Sequence, residues 1–84
     1  MEQNFPNPAN GGFTTVRVGL AETTFVRFSV YTPLGETIAV PIDGVVQAGI
    51  LSVNIDVSNL ESGVYFYELR TGATRIVKRF IVVQ

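Results

Sequence analysis

Apolar and polar residues alternate with a period of two along most of this 84-residue chain, the pattern that a half-buried β-strand imposes because successive side chains point to opposite faces. In 13–18, Val16 and Val18 share a face while Thr15 and Arg17 take the other. In 25–31, Val26, Phe28 and Val30 form the better core face, against Phe25, Arg27, Ser29 and Tyr31. The cleanest alternation is in 51–57, where Leu51, Val53, Ile55 and Val57 face inward and Ser52, Asn54 and Asp56 face water. Segment 64–70 turns Tyr65, Tyr67 and Leu69 inward, leaving Val64, Phe66, Glu68 and Arg70 outside. In 75–83, Ile76, Lys78, Phe80 and Val82 oppose Val77, Arg79, Ile81 and Val83. A further short strand is expected over 36–40, with Pro41 ending its pairing or placing it on an edge, because proline brings no N–H to a ladder.

Turn markers punctuate these segments at Asn10-Gly11-Gly12, Pro33-Leu34-Gly35, Asp43-Gly44, Ala48-Gly49, Ser62-Gly63 and Thr71-Gly72. The intervals are too short for ordinary helices, and their Val, Ile, Thr, Phe and Tyr favour strand. The expected fold class is all-β, an immunoglobulin-like antiparallel β-sandwich of about seven short strands. In immunoglobulin domains a tyrosine two residues before the second cysteine bonds its hydroxyl back to the chain. Tyr65 holds that place, with Tyr67 where the cysteine would be; the alternative is two ordinary core tyrosines.

Composition narrows the function. Eighty-four residues make room for one core and one domain. Charged residues are 15% of the chain against a norm of about 25%, while 46% are hydrophobic, so disorder is excluded and a sticky surface is expected. The absence of Cys and His removes thiol nucleophiles, disulfides, imidazole bases and the common zinc sites. The acids are scattered, and neither a nucleophile elbow, a phosphate loop nor an EF-hand loop is present. No enzyme activity, cofactor or metal site is expected. No apolar run approaches the roughly 20 residues of a membrane span. Charge is asymmetric: residues 70–84 carry +4 and residues 1–69 carry −5. This basic segment is too narrow for nucleic acid, which is not expected as a partner.

Recognition material lies at both ends. The stretch Asn4-Phe5-Pro6-Asn7-Pro8-Ala9-Asn10-Gly11-Gly12-Phe13 is a stiff extended lead-in, because both prolines fix φ and Pro8 keeps Asn7 extended. Residues 76–84 run to the end as an apolar strand with a basic pair, either fully paired in its sheet or open to pairing with another chain.

Together these segments resemble the C-terminal sorting domain (type A) of the bacterial type IX (Por) secretion system. Its opening signature stands as Pro6-Asn7-Pro8-Ala9-Asn10-Gly11-Gly12-Phe13. A second piece is Val30-Tyr31-Thr32-Pro33-Leu34-Gly35, which departs from the family pattern at Thr32 and Pro33 and is one residue short before the glycine. The third is Leu60-Glu61-Ser62-Gly63-Val64-Tyr65, and the closing strand is Lys78-Arg79-Phe80-Ile81-Val82-Val83. The resemblance implies a single domain over 1–84, with 1–4 an added start or linker remnant and 5–84 the sandwich, placed at the end of a larger exported protein. It implies a non-catalytic address tag that crosses the periplasm with its cargo and reaches the outer-membrane surface or the exterior. The implied partners are the translocon, the outer-membrane shuttle and a surface sortase that usually removes the tag. The implied recognition residues are Pro6, Asn7, Pro8, Gly11, Phe13, Gly63, Tyr65, Lys78, Arg79, Ile81, Val82 and Val83, of which Gly63 and Tyr65 could equally hold the fold. The rival reading is a fibronectin-like or immunoglobulin-like adhesive or spacer module, and a charge-poor surface also suggests self-association through a strand edge.

Overall fold

The computed structural model of the chain describes residues 12–84. Within them six strands form: β1 (Phe13–Leu20), β2 (Thr24–Tyr31), β3 (Thr37–Val46), β4 (Gly49–Asp56), β5 (Gly63–Arg70) and β6 (Arg75–Val82). They build two antiparallel sheets, one of β1 and β4 and one in the order β3-β2-β5-β6. The all-β, sandwich-like architecture is the expected one, with six strands among the described residues in place of about seven.

The core lies between the sheets and follows the alternation. Thr14, Val16 and Val18 of β1, with Val53 and Ile55 of β4 and the adjoining Val57, are buried. From the larger sheet come Val26, Phe28 and Val30 of β2, Tyr67 and Leu69 of β5, and Phe80 and Val82 of β6. Phe28 stacks on Tyr67 at 5.6 Å, and Phe80 tilts against Tyr67 at 5.7 Å, so diagonal aromatic contacts tie β2, β5 and β6 together. Aromatic pairs of this kind contribute about 0.5–1.5 kcal/mol beyond the area they bury.

The third strand corrects the sequence reading. It runs ten residues, through Pro41 and through Asp43-Gly44, which are strand and not turn. Opposite β2 the register jumps from Phe28↔Ile42 to Val30↔Ala39 and then to Tyr31↔Thr37, so β3 carries an extra residue at each step. A bulge leaves residues without a partner. Pro41 falls in the first bulge and on an edge strand, where its missing N–H costs no ladder bond. Alternation alone cannot reveal a bulge, because the extra residue shifts the phase of the pattern.

The β2–β3 connection is the tight turn that Pro33-Leu34-Gly35 suggested. The Gly35 N–H donates to the Thr32 carbonyl at 2.9 Å, and the Thr32 N–H donates to the Glu36 carbonyl at 2.9 Å. Gly35 sits at φ +87°, in the left-handed region that glycine tolerates without steric cost.

Candidate recognition face

The register of the four-stranded sheet arranges its outward side chains in rows. Tyr31, Phe66 and Arg79 form one row across β2, β5 and β6; Ser29, Glu68 and Val77 form the next; Arg27, Arg70 and Arg75 form a third. Beyond Phe66, Val64 pairs with Ile81. Tyr31 stacks on Phe66 with centroids 5.7 Å apart, so an aromatic pair lies on this outer face as well as in the core. Val64, Val77, Ile81 and Val83 are each 39–45% exposed. Aliphatic and basic side chains thus share the outer surface of β5 and β6.

Glu68 sits among the arginines. Its residue is 8% exposed, and the Arg75 Nε donates to its Oε2 at 2.8 Å while the Arg70 Nε lies 3.4 Å from Oε1. The hydrogen bond first, and the carboxylate charge second, hold the Arg75 guanidinium still more firmly protonated than usual.

The expected recognition residues fall in several places. Arg79, Ile81 and Val83 belong to the outer face. Lys78 is half-buried on the opposite side of β6, and Val82 is a core side chain, 1% exposed. Phe13 opens β1 in the other sheet, opposite Asp56, and is 57% exposed. Gly63 opens β5 opposite Val82. Tyr65 makes the corner: its hydroxyl donates to the Glu61 carbonyl at 2.8 Å, while its ring tilts against Phe80 at 5.9 Å. Pro6, Asn7, Pro8 and Gly11 lie outside the described residues.

Sequence reasoning missed the arginine row and Gln84. The Gln84 side-chain amide donates to the Val57 carbonyl at 2.6 Å and the Leu60 carbonyl at 2.7 Å, and its backbone N–H donates to Ser62 Oγ at 2.9 Å. Strand parity put Arg27 and Arg70 on outward faces, but their adjacency depends on the β2–β5 register, which joins segments about forty residues apart.

A family model for the secretion system C-terminal sorting domain matches residues 3–83. The chain belongs to that family. The match spans nearly the whole sequence and favours the secretion signal over the adhesive or spacer module. Comparison with curated proteins and with solved structures finds no significant match. The sorting domain is a C-terminal signal for type IX secretion, marking its protein for export across the outer membrane to the cell surface or the extracellular space. Its function therefore involves interaction with the type IX machinery.

Among the described residues no group of three or more acids could hold a metal ion, and no helix is long and apolar enough to cross a membrane.

Proposed function

We propose that the domain is read as a folded surface by the outer-membrane shuttle and the surface sortase, and that the outer face of β5 and β6 is the part they read. The domain itself carries out no chemistry; the sortase cuts ahead of it and releases the cargo at the surface. One observation carries this reading: Val64, Val77, Ile81 and Val83 are half-exposed on one face, around Arg79 and the stacked Tyr31–Phe66 pair. Exposed apolar groups clustered beside cations are the make-up of a protein contact, with aromatic and arginine anchors inside a greasy patch. The lead-in with Pro6, Asn7, Pro8 and Gly11, continuing to Phe13, is proposed as a second contact. Lys78, Gly63, Tyr65 and Val82 support the face by holding β5 and β6 in register.

The test is surface display of a periplasm-exported reporter fused to the chain, in a host with this secretion system. Deleting residues 81–84 would not discriminate, because it removes Val82 from the core and the Gln84 hydrogen bonds together with the surface. Ile81→Lys and Val83→Lys change exposed positions and leave the core intact. Display should fall at least about tenfold for the double variant, with unchanged thermal stability of the isolated chain. Full display would reject the outer face as the recognition surface.

A further inference from the structure

The row formed by Arg27, Arg70 and Arg75 is electrostatically incomplete. Like charges directly opposite one another on neighbouring strands repel, and here three guanidiniums occupy consecutive cross-strand positions. Glu68 is the acid beside them, and its two oxygens are already engaged by Arg70 and Arg75. Each of those arginines meets it through Nε, which leaves further N–H donors of the guanidinium fork to offer elsewhere. Arg27 has no ion-pair partner among the described residues, although exposed Asp43 stands across from it on β3. With Asp43 counted, the three arginines and two acids of this patch leave a local excess of +1.

These arginines line an open depression of about 380 Å³ whose wall also includes Ser29, Tyr31 and Glu68. Ser29 is 7% exposed and Glu68 8%, so the floor is polar and fixed by the sheet while the cationic forks stand at its rim. Planar, multiply donating guanidinium groups match the two oxygens of a carboxylate. The depression adjoins Phe66 and half-exposed Val77, an apolar border that suits a peptide more than a free inorganic ion.

The geometry points to this depression as a carboxylate-binding site that takes an acidic side chain from a peptide segment of a partner protein. This rests on the reading of the outer face as the recognition surface and adds to it a charge requirement: the partner presents Asp or Glu toward Arg27, Arg70 and Arg75, next to an apolar residue over Phe66 and Val77.

The experiment titrates the ¹⁵N-labelled 84-residue chain with triglutamate, with triglutamine and with inorganic phosphate, following backbone amide shifts. Triglutamate should give saturable shifts centred on Arg27, Ser29, Glu68, Arg70 and Arg75, and triglutamine none. Arg27→Gln, an exposed position outside the core, should weaken triglutamate binding at least fivefold, whereas Arg17→Gln on the other sheet should leave it unchanged. Absence of saturable shifts, equal weakening by both variants, or tighter binding of phosphate than of triglutamate would each overturn the proposal. Failure here is distinguishable from failure of the recognition reading. Triglutamate binding with full display of the Ile81→Lys, Val83→Lys reporter removes the recognition face and keeps the pocket, and the converse result removes the pocket alone.

Discussion

The hydroxyl of Tyr65 donates to the backbone carbonyl of Glu61, four residues upstream, at 2.8 Å. This bond closes the corner where the chain leaves β4 and enters β5, crossing from the small sheet to the large one. The Tyr65 ring stays packed on Phe80, so Tyr65→Phe removes the bond and keeps the packing. A net hydrogen bond contributes about 0.5–1.5 kcal/mol. Urea unfolding of Tyr65→Phe should lose about 1 kcal/mol with an unchanged m-value, and exchange of amides near Glu61 and Gly63 should speed up. Unchanged stability would mean that the corner bond is incidental.

The same corner is fastened from the other side by Gln84. Its amide bridges the Val57 and Leu60 carbonyls while its backbone N–H meets Ser62 Oγ. Gln84→Ala removes the bridge and leaves the backbone bond; the Leu60 carbonyl returns to water, while the Val57 carbonyl keeps the bond it accepts from the Leu60 N–H at 3.1 Å. The expected loss is about 1 kcal/mol, with faster amide exchange confined to residues 58–62. Loss of protection throughout β6 instead would show that Gln84 holds the strand and not the loop.

How much of this was legible in the sequence follows from the range of each interaction. Local alternation identified the core faces of β1, β2, β4 and β5, since a strand sorts its side chains by parity whatever it pairs with. The two faces of β6 are both largely apolar, and pairing alone decides that Phe80 and Val82 are the buried ones. The Tyr65 corner was legible because its donor and acceptor are four residues apart. The full length of β3 was not, because bulges around Pro41 break the phase of the alternation. Nor was the arginine row, since the meeting of Arg27 with Arg70 and of Arg70 with Arg75 is fixed by register between strands. The Gln84 bridge was hidden for the same reason, spanning 24 and 27 residues to its acceptors.

Asp56 provides a pH-dependent contribution. The Ser58 hydroxyl donates to its Oδ1 at 2.6 Å and the Ser58 N–H at 2.9 Å, and these bonds, side chain first, lower its pKa below the ordinary value of 3.8. Because the folded pKa is the lower one, the stabilisation is fully present above the unfolded pKa and disappears as the pH falls through the folded value. Asp56→Ala should therefore be less stable than the parent at neutral pH, and the gap should shrink as the pH drops below about 4. Chemical denaturation at a series of pH values checks this; a gap independent of pH would assign the effect to turn geometry and not to the charge.

Edge strands present unpaired backbone groups to other chains. The β3 edge is interrupted by Pro41 and two register shifts, whereas β6 pairs with β5 without interruption and has no partner on its other side among the described residues. We expect concentration-dependent association, led by the β6 edge and the aliphatic side chains that flank it. Light scattering should show mass rising with concentration, and Val77→Lys should suppress it by adding an edge charge. A constant monomer mass over a hundredfold concentration range would reject edge association.

Glu68→Gln tests the electrostatics of the arginine row directly. The substitution preserves shape and removes the carboxylate that Arg70 and Arg75 share. Both arginines are more than half exposed, so solvent screens the repulsion that remains and the expected cost is modest, about 1 kcal/mol. Screening also gives the loss a signature. At low ionic strength the variant should be least stable, and added sulfate should restore it more than an equal ionic strength of chloride, because a bound oxyanion takes the place of the missing carboxylate. Parent and variant measured side by side separate this from the general effect of sulfate on folded proteins, which acts on both. Equal recovery in the two salts would assign the loss to simple screening and would leave the row without a specific anion site.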